Sequence, residues 1–140
     1  MKRQVLTLVT VIAVLLVSGS AYAQTISLKA DIPFDFVVSG HTLAAGPYTI
    51  DSMGNGGAKA LLVRSADQQE KMIVLASGAQ SAQPADRTKL VFHRYGARYF
   101  LSQIWVAGNP LGHQLPKSRR EAEVARDYRV GNVVLMASAR

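Results

Sequence analysis

The chain has 140 residues, no cysteine, 49 % apolar residues and a formal charge of +7. The absence of cysteine excludes disulfide staples, thiolate catalysis and thiolate metal sites. The positive charge favours anionic partners such as lipid headgroups or acidic polysaccharides.

The N-terminus reads as a leader for export. Lys2 and Arg3 precede an apolar run from Val5 to Val17, broken only by Thr7 and Thr10. Ser18, Gly19 and Ser20 lead to Ala21-Tyr22-Ala23, the small-x-small pattern that signal peptidase accepts. A spanning helix needs roughly 20 apolar residues, so this run predicts a cleaved signal peptide rather than an anchor. The expected division is 1–23 signal peptide and 24–140 one cysteine-free β domain, with no transmembrane segment after cleavage. Without cysteine there is no lipoprotein anchor, and without a twin arginine the general secretory route applies. The expected location is periplasmic or secreted, which removes nucleic acid as a partner.

Thr25 to Phe36 alternates apolar and polar residues. Ile26, Leu28, Ala30, Ile32, Phe34 and Phe36 share one face, the pattern of a strand with one wet side. Pro33 cannot donate to a ladder, so this is an edge strand or two strands joined by a bend. Turns follow at Ser39-Gly40-His41 and Gly46-Pro47, and alternation resumes over Tyr48 to Asp51. Gly54-Asn55-Gly56-Gly57 suits a hairpin loop. Lys59 to Arg64 and Lys71 to Ala76 are nearly continuous in apolar residues, which predicts strands buried on both faces.

Gly78 to Asp86 reads as a long polar loop. Lys89 to Tyr95 and Arg98 to Val106 then form a hairpin rich in aromatic and β-branched residues. Strict alternation assigns Phe100, Ile104 and Val106 to one face and Tyr99, Leu101 and Trp105 to the other. Gly108 to Gly112 ends the hairpin. Ser118-Arg119-Arg120-Glu121 is a capping box, in which the serine caps an amide and the glutamate reaches back. It opens a short helix from Arg119 to about Arg129, stopped by Gly131. Asn132 to Ser138 returns as a last strand. About seven to eight strands and one short C-terminal helix predict an all-β fold, an antiparallel sandwich or a small barrel.

Few residues invite chemistry. Asp31 and Asp35 share a strand face, but four residues span about 13 Å along a strand. Glycosidase carboxylates stand about 5 to 9.5 Å apart. His41, His93 and His113 lack ligand spacing, so neither metal nor cofactor is expected. Ser102, His93 and an aspartate could meet as a triad, but no Gly-x-Ser-x-Gly elbow supports one. Tyr95, Tyr99 and Trp105 could form an aromatic platform, or one more core layer. Lys117, Arg119, Arg120, Arg126 and Arg129 mix with Glu121, Glu123 and Asp127, as on a solvated helix face. Arg119 and Arg120 are the candidate contacts for an anion.

Five phrases also resemble a family of short exported proteins typical of acidobacterial genomes. They are Ile32-Pro33-Phe34-Asp35-Phe36, Leu43 to Ile50, Leu90 to Gly96, Tyr99 to Trp105, and Leu115 to Glu121. The resemblance covers most of the chain after the leader. It departs at Ala44 or Ala45, where members tend to carry a proline. It implies export into a Gram-negative-type envelope and transfers no ligand or catalytic residue.

The resulting expectation is an exported, non-enzymatic envelope or extracellular module that binds a glycan or an anionic surface. The candidate ligand-binding residues are Tyr95, Tyr99, Trp105, Arg119 and Arg120, and the partners an anionic glycan, a lipid headgroup or an envelope protein. Two alternatives stand beside it: a hydrolase built on a histidine-containing pocket, and a structural protein that self-assembles through an exposed edge.

Overall fold

The computed structural model describes residues 26–53 and 60–139. The expected signal peptide and the Gly54 to Gly57 loop lie outside the described residues.

Leu28, Ala30 and Ile32 turn inward along β1 (Ser27–Ile32), as their alternation requires. Pro33 ends the ladder, and over Pro33 to Asp35 the chain leaves this sheet for a second one. There β2 (Phe36–Val38) and β3 (His41–Leu43) form a small hairpin. Ser39 and Gly40 turn it with φ of 49° and 82°, the paired positive values of a primed turn. The chain then returns to the first sheet for β4 (Gly46–Met53), β5 (Ala60–Ser65) and β6 (Lys71–Leu75). Ala76 carries it back to the second sheet for β7 (Ser77–Gln80), β8 (Lys89–Tyr95), β9 (Arg98–Trp105) and β10 (Leu111–Gln114). Helix α1 (Arg119–Asp127) precedes β11 (Gly131–Met136) in that sheet, and Ala137 crosses to β12 (Ser138–Ala139) in the first.

The first sheet has the order β12-β1-β4-β5-β6, and the second β11-β8-β9-β10-β7. One edge of β9 is shared: β10 pairs with it at Gln103 and Ile104, and β2 lies parallel at Phe100. Between the sheets sit Leu28, Ile32, Phe36, Ile50, Leu61, Val63, Val74, Leu90, Phe92 and Ile104. The fold is therefore an all-β sandwich with one short C-terminal helix, and not a closed barrel. Helix α1 lies on the outer face of the second sheet, where Val124 meets Val37, Tyr95 and Phe100.

Three local expectations need correction. Among the described residues there are twelve strands rather than seven or eight. β7 forms inside the stretch read as loop, and β10 begins within the turn that closes the hairpin. These strands have four residues each, too few for alternation to show, and form because neighbouring backbones offer partners. Second, β6 is buried on one face only. It is a sheet edge, and Ile73 and Leu75 are 61 % and 70 % exposed on its uncovered side. Third, the pairing of β8 with β9 slips between Val91 and Phe92. Phe92 faces Leu101 and Val91 faces Gln103, so Ser102 has no opposite residue: a β-bulge. The extra residue exchanges the faces beyond it. Tyr99, Leu101 and Ile104 turn into the sandwich, while Phe100 and Trp105 turn toward the helix side.

Candidate functional site

The helix side of the second sheet carries the polar groups of interest. His93 follows Val91 and Lys89 along this face of β8, and Tyr95 follows it. Ser102, displaced by the bulge, reaches His93: its Oγ lies 3.1 Å from Nε2. On the other side of the ring, Nδ1 lies 2.7 Å from Glu121 Oε1. The Tyr95 hydroxyl donates to the same carboxylate oxygen at 3.1 Å. Glu121 is buried, and Ser102 is only 4 % exposed.

The sequence reads Glu121 as half of a capping box and as part of a solvated helix face, but the residue is buried. The Ser118 half forms as expected, with its hydroxyl accepting from the Glu121 amide at 3.1 Å. The Glu121 side chain instead turns down onto the sheet, to His93 and Tyr95. The helix is thus fixed to β8 by a carboxylate with two hydrogen-bond partners, and Val124 adds an apolar cluster with Tyr95 of β8 and Phe100 of β9. A sequence signal existed: a glutamate three positions before Val124 occupies the same helix face.

Burial raises the Tyr95 pKa to about 12, helped by the charge and hydrogen bond of Glu121. Burial also raises that of Tyr48, whose hydroxyl lies 2.7 Å from Glu70 Oε2. In the unfolded chain tyrosine titrates near 10.0. Above that pH the folded state holds more protons than the unfolded state, so stability falls as pH rises. These tyrosines should leave stability unchanged below about pH 10 and erode it from there toward pH 12. Denaturant melts across that range measure the slope, and Tyr95→Phe should flatten part of it.

Further along the same face is an open cleft of about 600 Å³. Its floor is the sheet: Lys89 and Val91 on β8, Gln103 and Trp105 on β9, Asn132 and Val134 on β11. Residues of the 81–86 segment form its wall, among them Gln83 and Asp86. The wall is held by backbone bonds from Ser81 to Pro110, from Ala85 to Asn109 and from Gly108 to Ala85. Trp105 lies against β10 at Gly112, where a Cβ would stand 2.6 Å from the indole. Its Nε1 donates to Gln103 Oε1 at 3.1 Å, which fixes the Gln103 side chain in the cleft lining. The cleft adjoins the buried network, since Asn132 pairs across the ladder with His93.

The five candidate residues do not share one surface. Trp105 lines the cleft. Tyr95 is buried under α1. Tyr99 faces the opposite way, stacked on Phe34 at 3.9 Å between ring centroids. Arg119 and Arg120 are exposed on α1, and an Arg120 nitrogen lies 3.4 Å from Thr42 Oγ1. Gln83, Gln103 and Asn132 went unnoticed, because isolated amides carry no sequence pattern. Among the described residues, no group of three histidine or carboxylate side chains is placed to hold a metal. No protein family, curated protein or solved structure matches the chain.

Proposed function

We propose that this protein is an exported, non-enzymatic module that binds a neutral glycan in the cleft on its second sheet. The observation that carries the reading is the gathering of three amides, from Gln83, Gln103 and Asn132, around the edge of Trp105. Sugars present closely spaced hydroxyls that both donate and accept, and amides match them in both roles. Trp105 is largely buried against Gly112, so its indole adds only a small apolar contact for a sugar ring. The two charged residues of the cleft, Lys89 and Asp86, stand 4.0 Å apart and offset each other. That balance favours a neutral ligand over an acidic one. The wall is tied by backbone bonds before any ligand arrives, which lowers the entropy cost of binding.

Calorimetric titration with neutral and acidic oligosaccharides tests the reading. A neutral oligosaccharide should bind, and Gln103→Ala with Asn132→Ala should weaken it at least tenfold, at about 1.4 kcal/mol per decade. Asn132 is exposed, so Asn132→Ala alone should barely move the melting midpoint, whereas Gln103→Ala also removes the acceptor of the Trp105 indole N–H and should lower it modestly. If no neutral sugar binds, or the double variant binds as well as the parent, the cleft is not the site.

The hydrolase reading has one observation in its favour, the Ser102–His93–Glu121 order of hydrogen bonds. Accessibility argues against it. Ser102 is 4 % exposed and does not line the cleft beside it. A nucleophile needs a position about 3 Å from its oxygen where a reacting carbon can sit. The same bonds are accounted for by holding α1 on the sheet. A fluorophosphonate probe should therefore leave Ser102 unmodified, as read by intact mass. Labelling that disappears in Ser102→Ala would establish an active serine instead.

A further inference from the structure

We propose that the sandwich end formed by the β8–β9 turn and the segment after α1 docks on bilayers that carry anionic lipids. Arg94, Arg98 and Arg129 are exposed there. Arg94 pairs with Gly131 across the β8–β11 ladder, and Arg98 pairs with Tyr95 across the turn. A Cβ at Gly96 would lie 3.4 Å from the Tyr128 ring, so that ring rests against the turn between Arg94 and Arg98. Arg129 is the next residue. Among the described residues, none of these three arginines is paired with a carboxylate, and Asp127 is the one acidic residue in the 127–131 segment.

Arg94 is also held in place. Its Nε donates to the Gly96 carbonyl at 2.8 Å, and its guanidinium carbon lies 5.7 Å from the centre of the Tyr99 ring. A planar guanidinium fixed this way is preorganised for a phosphate. Amid these cations, Tyr128 and Val130 are each 56 % exposed. Arginines alone would serve any polyanion. Exposed valine and tyrosine among them point to a bilayer, whose headgroup layer accepts the charges while its acyl boundary accepts the apolar side chains. The bilayer thus complements both the charge and the apolar exposure of this tip.

The test is co-sedimentation of the protein, in the form cells export, with phosphatidylcholine vesicles and with vesicles that also contain phosphatidylglycerol. Binding should appear only with phosphatidylglycerol and should be lost in high salt. Arg98→Ala with Arg129→Ala should weaken it roughly thirtyfold, by the usual contribution of a basic residue at an anionic surface. Tyr128→Ser with Val130→Ser should weaken it as well. Arg119→Ala with Arg120→Ala, an equal loss of charge elsewhere, should matter far less. In the unmodified protein, hydrogen exchange should slow at 94–98 and 128–131 when phosphatidylglycerol vesicles are added. The proposal is overturned if neither vesicle binds, if both bind equally, or if exchange at those residues is unchanged. It is also overturned if the helix pair matters as much as the tip pair, or if soluble dextran sulfate binds the tip and vesicles do not.

Discussion

Glu121→Ala is expected to destabilise the protein by about 2 to 3 kcal/mol, from one buried hydroxyl and one half-buried imidazole each deprived of a partner. The substitution removes the acceptor of the Tyr95 hydroxyl and the partner of His93 Nδ1. Tyr95 is buried, so water does not readily replace the lost bond. Alanine is a good helix former, so helix propensity does not explain a loss of this size. Glu121→Gln keeps an oxygen in place and should cost about 1 kcal/mol, the ordinary worth of a charge-assisted bond above a neutral one. Urea melts followed by circular dichroism give both values. An unchanged slope would show that α1 stays docked in the variant, and a changed one that it has come away. A loss below about 1 kcal/mol for alanine would mean that Val124 holds the helix without the carboxylate.

The sequence foresaw much of the scaffold and little of the cleft. Alternation from Ile26 to Ile32 identified the buried face of β1, and the aromatic pattern from Lys89 onward located the central hairpin. The Ser118 cap marked the start of α1 to the residue. Such signals are local, because each lies within one strand or one helical turn. What escaped detection depends on distant partners. The bulge at Ser102 inserts one residue into a regular pattern, and nothing in Phe100 to Trp105 marks it. It nevertheless decides that Trp105 faces the cleft and Tyr99 the core. β7 and β10 contain glycine, serine and glutamine, whose strand preference is weak. Their pairing with each other, not their composition, makes them strands. The cleft unites β8, β9, β11 and the 81–86 segment, so its amides acquire meaning only once the sheet is assembled.

The largest loss should follow Phe36→Ala, about 3 to 5 kcal/mol, the usual cost of truncating a buried phenylalanine. Phe36 is the first residue of β2, just after the chain has crossed from one sheet to the other. Its ring meets Tyr48 of the first sheet edge-on at 5.0 Å and Phe92 of the second at 5.8 Å. One side chain thus bridges both layers, and its removal leaves a cavity lined by each. Phe36→Leu retains most of the apolar volume and should cost less than half as much, while losing both edge-on ring contacts. Phe34, two residues earlier, is the comparison. It stacks on Tyr99 and meets Phe92 at 5.1 Å but is only half-buried, so its truncation should cost less than that of Phe36. That order, measured as midpoints of urea unfolding, tests whether the sandwich is held by the residue that spans its layers. Equal losses at 34 and 36 would place the critical packing on the second sheet alone.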